Sequence, residues 1–114
     1  MRKDLVDRLE KYNGMEHLTS DHGFIFWQVT TGENVEIMFI SVDEPRKGYG
    51  TELIRLMCER IQPYNSVIVF TRENNREARA FYEKLGFKGV IVDNLYKNEK
   101  AVLYTILFKE LKKV

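Results

Sequence analysis

Two glycines and two cations stand together in the stretch "PRKGYGTEL", residues 45–53, directly ahead of an apolar-periodic run. Glycines let backbone N–H groups approach a ligand closely, and a following helix offers further free N–H groups at its positive dipole end. Together they describe a seat for an anion, most often a phosphate. A tight turn ahead of an ordinary helix would read the same way, so the loop has to be judged with its surroundings. The Walker pattern needs Gly, four residues and then Gly-Lys-Ser/Thr, which this segment lacks. The dinucleotide fingerprint needs a third glycine where Leu53 stands. Other chemistry-bearing residues are sparse. Cys58 is the sole cysteine; it lies beside an apolar stripe with no local base, which suits packing rather than nucleophilic catalysis. His17 and His22 fall in no motif and read as loop residues. No His, Cys, Asp and Glu cluster has metal-ligand spacing, so no metal is expected.

The elements that must position this loop follow from periodicity. Residues 3–13 carry Leu5, Val6, Leu9 and Tyr12 at helical spacing, with Gly14 as a stop. Residues 15–20 are ambiguous between loop and short strand. "GFIFWQVT" (23–30) and "NVEIMFISV" (34–42) are rich in aromatic and β-branched residues, and "TGE" between them reads as a hairpin turn. Leu53, Ile54, Met57 and Ile61 then form one stripe, a helix that follows the glycines directly and is ended by Pro63. "SVIVFT" (66–71) has the nearly all-apolar pattern of a strand covered on both faces. "NNREARAFYEKLGF" reads as a second helix capped near Asn74 or Asn75 and stopped by Gly86. "KGVIVDNLY" and "AVLYTILFKEL" are two further strands about a polar turn. Strand–helix–strand crossovers among hairpins predict an α/β fold with a mixed sheet and flanking helices.

Composition bounds the function. One domain over residues 1–114, with 44% hydrophobic and 31% charged residues, reads as an ordinary soluble globular protein. The net charge of +1 and the lack of a basic stripe give no support for nucleic-acid binding. No apolar run is long enough to span a bilayer, and "MRKDLVDRLEK" lacks a signal-peptide pattern. A single cysteine fits a reducing compartment, so a cytoplasmic location is expected.

Of the anion-loop families, one remains. Residues Arg46, Lys47, Gly48, Tyr49 and Gly50 resemble the Arg/Gln-x-x-Gly-x-Gly/Ala loop of the GNAT superfamily, the acetyl-CoA-dependent N-acetyltransferases; Pro45 departs from it at the first position. The family's second motif, Asn-x-x-Ala-x-x-Phe/Leu-Tyr-x-x-Leu-Gly-Phe, is filled by Asn75, Ala78, Phe81, Tyr82, Leu85, Gly86 and Phe87. One helix and one strand separate the two motifs, and the resemblance covers roughly residues 23–110.

The resemblance implies a GNAT fold, a mostly antiparallel sheet in which residues 35–42 and 66–71 run parallel and splay at their C-terminal ends. Pantetheine of acetyl-CoA would enter that wedge beside Phe39, Ile40 and Ser41, one of whose N–H groups would hold the oxyanion. The amides from Lys47 through Gly48, Tyr49 and Gly50 to Thr51 would hold the pyrophosphate, with charge from Arg46 and Lys47. A Cβ at Gly48 or Gly50 would obstruct the diphosphate. Asn75, Ala78 and Tyr82 would line the coenzyme from the second helix. Tyr82 resembles the residue that protonates the coenzyme sulfur, although a tyrosine on an amphipathic helix is also accounted for by packing. Glu36 resembles the glutamate that deprotonates the amine through water; a solvent-facing glutamate alternating with Val35 and Ile37 is the other account of it. Pro45 has no N–H to donate, and Arg46 or Lys47 is expected to substitute for the missing side chain.

The activity so implied is acetyl transfer from acetyl-CoA to an amine acceptor, protein or small molecule, by direct attack. The alternative is a non-catalytic module of the same fold that binds CoA or a protein partner. Only about 22 residues precede "GFIFW", so the acceptor side is expected to be open or completed by another subunit; an open site favours an extended acceptor. Asp43 and Glu44 could attract a cationic amine. If "AVLYTILFKEL" lies at a sheet edge, it invites a second copy and a homodimer.

Overall fold

A computed structural model describes residues 15–30, 33–61, 65–97 and 99–111; the helix expected over residues 3–13 lies outside them. Six strands and three helices follow in the order β1 (Glu16–Ser20), β2 (Gly23–Thr30), β3 (Asn34–Val42), α1 (Tyr49–Arg60), β4 (Ser66–Arg72), α2 (Arg76–Lys84), β5 (Lys88–Tyr96), β6 (Glu99–Leu107) and α3 (Phe108–Leu111). The strands form one sheet ordered β1-β2-β3-β4-β6-β5. β3 and β4 pair in parallel, and the other four pairings are antiparallel. This is the mixed, mostly antiparallel sheet with one parallel pair that the sequence led us to expect. Among the described residues no helix is long and apolar enough to cross a membrane.

Three local expectations need correction. Residues 15–20, ambiguous in the sequence, form β1, so His17 is a strand residue, stacked on Phe26 with ring centroids 4.9 Å apart. The last strand stops at Leu107, and residues 108–111 turn into α3. Phe108 and Leu111, three apart, are both buried, a spacing that a helix satisfies and a strand does not. β6 is also no edge strand: it lies between β4 and β5, which bond to both its sides. Its apolar run is long because it is interior, and the homodimer expected from pairing along it has no free edge to use. The edges are β1 and β5.

The main core lies under α1 and α2. Ile25 and Trp27 of β2, Val35 and Ile37 of β3, Val67 and Val69 of β4, and Val102, Tyr104 and Ile106 of β6 meet Leu53, Ile54, Met57 and Cys58 of α1. Every second residue of each strand contributes, as the pleat requires. Cys58 is buried there, as its place beside the stripe suggested. Truncating a fully buried member such as Leu53 to Ala would cost about 2–5 kcal/mol. A smaller cluster on the opposite face holds Phe24 and Phe26, with Met15 and Met38 against them.

One irregularity shapes the sheet. Phe26 pairs with Phe39 but Trp27 pairs with Ile37, so Met38 is an extra residue in β3. Such a bulge bends its strand and increases the local twist. It also changes the alternation: Val35 and Ile37 face the main core before the bulge, and Ile40 and Val42 pack against that core after it.

Candidate functional site

The parallel pairing of β3 with β4 spans only three positions, Asn34 with Ser66, Val35 with Val67 and Glu36 with Ile68. Both strands continue, β3 to Val42 and β4 to Arg72, without pairing to each other. The bulge at Met38 comes two residues after the last pair and supplies the bend that parts them. The closed end is pinned: Ser66 Oγ donates to Asn34 Oδ1 at 2.7 Å, and the Asn65 N–H bonds the Glu33 carbonyl at 3.0 Å. The result is a wedge that opens toward the C-terminal ends of both strands. Phe39, Ile40 and Ser41 all lie on its β3 side; Phe39 is 43% exposed, Ile40 partly buried and Ser41 exposed.

At the open end β3 runs into the glycine loop. Arg46 and Gly48 both have left-handed backbone, with φ of 61° and 82°. Left-handed residues set among right-handed ones turn successive N–H groups to one side, making a concavity for anions. Gly48 is the N-cap of α1 and offers no side-chain bond to the helix. The first intrahelical bond runs from the Glu52 N–H to the Gly48 carbonyl at 3.0 Å, which leaves the amides of Tyr49, Gly50 and Thr51 ahead of it. Arg46 and Lys47 are exposed beside them. A Cβ placed on Gly48 would meet nothing within 4 Å, so the space above it is open. Gly50 differs: a Cβ there would come within 3.0 Å of Phe81 Cζ. Its missing side chain makes room for a ring of α2, a reason for glycine that the sequence did not reveal. Uncapped amides, open space and two exposed cations fit a bound diphosphate.

The second motif builds α2. Asn75 is its N-cap, and its Oδ1 accepts from the Ala78 N–H at 3.1 Å. Ala78 and Phe81 are partly buried against the main core. The helix ends in a paired closure about Gly86, φ 101°: Phe87 N–H bonds the Tyr82 carbonyl at 3.0 Å and Gly86 N–H the Glu83 carbonyl at 3.1 Å. The apolar contact that accompanies such a closure is made by Phe87 on Tyr82, ring centroids 5.3 Å apart. Leu-Gly-Phe is therefore explained by helix termination. Tyr82 is 3% exposed, between Phe81, Phe87 and Tyr104, and burial pushes its phenol above the ordinary 10.0. It keeps its proton throughout the neutral range. Glu36 sits half-buried at the last parallel pair, across from Gln28, on the face opposite Val35 and Ile37. It thus lies at the closed end of the wedge.

Two features near the site were not foreseen. His22, in the β1–β2 turn, stacks on Tyr49 at 3.8 Å with planes 8° apart, and its carbonyl accepts from the Asp43 N–H at 2.8 Å. The glycine loop is thereby tied to a turn distant in sequence. Arg79, Glu83 and Tyr104 form a second group: the buried Tyr104 hydroxyl donates to Glu83 Oε2 at 2.5 Å and accepts from Arg79 Nε at 3.1 Å. The four-residue spacing of Arg79 and Glu83 is visible in the sequence as a helix-surface pair; nothing there points to Tyr104.

Comparison with known proteins places this geometry. The sequence profile described as "Acetyltransferase (GNAT) domain" matches residues 11–89. A search of curated protein sequences found no match. Among solved structures, the ribosomal-protein-S18-alanine N-acetyltransferase of Escherichia coli is 22% identical with a TM-score of 0.71, covering 93% of this chain and 77% of its own. Ard1 of Thermoplasma volcanium is 26% identical with a TM-score of 0.70, over 90% of this chain and 76% of its own. A GNAT family acetyltransferase of Elizabethkingia anophelis, solved with acetyl-CoA bound, is 20% identical with a TM-score of 0.71, over 92% and 82% respectively. With two motifs in register, a splayed parallel pair and a profile matching more than half its length, the chain belongs to the GNAT acetyltransferase family.

Proposed function

We propose that the protein is an acetyl-CoA-dependent N-acetyltransferase that transfers the acetyl group to an amine acceptor by direct attack in a ternary complex. The observation that carries this is the juxtaposition of the unpaired β3–β4 wedge with the uncapped, cationic start of α1. The amides from Lys47 to Thr51 hold the pyrophosphate, with Arg46 and Lys47 adding charge, and the β3 backbone from Phe39 to Ser41 lies along pantetheine. Aligning the two substrates supplies much of the rate, about 7–11 kcal/mol in favourable systems. An N–H of the Phe39–Ser41 stretch takes up the oxyanion as the amine nitrogen bonds to the acetyl carbon. Glu36 first takes a proton from the acceptor ammonium through water, which frees the lone pair that attacks, and as the C–S bond breaks Tyr82, which burial keeps protonated, gives its proton to the departing thiolate. The reaction needs no covalent enzyme intermediate, in keeping with Cys58 being buried in the core. A cytoplasmic setting belongs to the same proposal. The Escherichia coli relative is named for an alanine of a ribosomal protein, so protein amines are the first acceptors to try here.

The burial of Tyr82 favours a second reading, a module that binds CoA without turning it over. Calorimetric titration with acetyl-CoA, and with desulfo-CoA as control, tests what both share; micromolar binding is expected, and no binding at millimolar ligand would refute both. A Glu36→Gln variant separates them: a transferase loses the acidic limb of its pH–rate profile, and an unchanged limb removes Glu36 from the chemistry.

A further inference from the structure

Among the described residues the Arg79 guanidinium has two hydrogen-bond partners, in different parts of the molecule. Its Nε donates to the Tyr104 hydroxyl at 3.1 Å, and its Nη1 donates to the Glu73 carbonyl at 3.0 Å. Tyr104 lies in β6, fully buried, at the position paired with Val69 of β4. Glu73 is the first residue after β4, in the turn that leaves the open end of the wedge and leads to Asn75. One planar fork therefore joins the middle of the sheet to the backbone beside the wedge.

The group is held from both sides. Tyr104 donates to Glu83 Oε2 while accepting from Arg79, so the hydroxyl has one role for each neighbour and the two bonds reinforce each other. Burial and the bond to Glu83 push the Tyr104 phenol up, which keeps its donated proton in place. Arg79 and Glu83 themselves stand 3.9 Å apart and are 34% and 54% exposed. A pair so exposed contributes little by its charges alone. What distinguishes it is the anchor beneath it and the carbonyl beyond it. Two further backbone bonds fasten the same turn, Glu73 N–H to the Lys100 carbonyl at 2.9 Å and Asn75 N–H to the Arg72 carbonyl at 3.1 Å.

We propose that Arg79 is a positioning residue for coenzyme binding: it carries the rigidity of the Tyr104 anchor to the β4–α2 turn and so sets how firmly the wedge holds acetyl-CoA. The proposal rests on the wedge being the coenzyme site. The side chain touches no coenzyme; it acts through the Glu73 carbonyl, and the Arg79 stem would still cover α2 if its donors were removed.

The test is calorimetric titration of acetyl-CoA into the parent, Arg79→Met, Arg79→Lys, Tyr104→Phe and the Arg79→Met/Tyr104→Phe double variant. Arg79→Met should raise Kd roughly fivefold to tenfold, because a small displacement of a binding element is felt strongly. Arg79→Lys, with one compact ammonium in place of the fork, should fall between. Tyr104→Phe should raise Kd by about threefold, and the double variant should bind no worse than Arg79→Met, since both changes break one connection. A purely structural role predicts lowered thermal midpoints with Kd unchanged. The inference is overturned if Arg79→Met binds within twofold of a parent that does bind, or if the two changes add. A parent that fails to bind acetyl-CoA instead refutes the coenzyme site itself, and this inference with it. Arg79→Lys and Tyr104→Phe, which keep a cation and a ring in place, carry the comparison should Arg79→Met fail to fold.

Discussion

The two long helices begin in opposite ways. α1 starts from Gly48, a left-handed residue with no side chain to close the first turn, whereas α2 starts from Asn75, whose carboxamide oxygen takes the Ala78 N–H. A capped terminus is satisfied from within; an uncapped one, flanked by cations, has donors to offer a ligand. The helices also differ in what they bury. α1 sinks Leu53, Ile54, Met57 and Cys58 into the core, while α2 buries Tyr82 alone. The first helix is a rigid post that presents backbone, and the second is a lighter element that presents side chains. Chemistry by a side chain on α2 and binding by amides on α1 is the division of labour we propose for them.

The sharpest way to break that division is Tyr82→Phe. It keeps the ring packed on Phe87 and removes the proposed proton donor, so turnover should fall by about 100-fold or more while the Kd for acetyl-CoA stays near the parent's. Equal turnover would make Tyr82 part of the core and nothing else. Next in size is Gly48→Ala. The space around the new Cβ is open, but φ 82° disfavours any L side chain by about 1–2 kcal/mol, and relaxing it turns the amides away. Coenzyme affinity should drop roughly tenfold, and unchanged affinity would place the anion elsewhere. Asn75→Ala sharpens the contrast from the other helix. It should lower stability by about 1 kcal/mol in chemical denaturation yet alter the Kd for acetyl-CoA less than twofold; a large loss of affinity would mean that Asn75 serves the ligand as well as the helix.

The smallest effect concerns pH. The Tyr82 phenol is raised in the folded state by burial, so in the unfolded chain it ionises first, near 10.0. Its contribution to stability is complete below that value and is lost as the pH climbs above it. The thermal midpoint should therefore hold up to about pH 10 and decline beyond, less steeply in Tyr82→Phe, and equal slopes in parent and variant would disprove the assignment.

Much of this could be read from residue patterns. Runs rich in aromatic and β-branched residues about a short turn located the hairpin of β2 and β3, and the stripe from Leu53 to Ile61 located α1, because burial selects those residue types and that spacing. Asn75 and Gly86 announced both ends of α2 through the backbone chemistry that only they supply there. What escaped detection depends on contacts between distant segments. The stacking of His22 on Tyr49, the fork from Arg79 to Tyr104 and the ring of Phe81 over Gly50 leave no periodic trace. The placement of β6 stayed open for a related reason: an apolar run specifies burial but not which strands will flank it. The true end of β6 was blurred because Phe108 and Leu111 continue its hydrophobicity while abandoning its period.

Met38 has a consequence for how the chain tolerates length changes. Deleting that one residue would restore strict alternation along β3 with every facing kept, Val35, Ile37, Ile40 and Val42 still toward the core and Phe39 and Ser41 away from it. Straightening the strand with Met38 retained would instead turn Phe39 and Ser41 inward and Ile40 and Val42 outward. The deletion spares the packing and removes the bend, whereas the straightened strand loses one end of its core contacts. The opening between β3 and β4 thus hangs on a surplus of one residue, whose loss would cost the wedge its bend and leave the core its contacts.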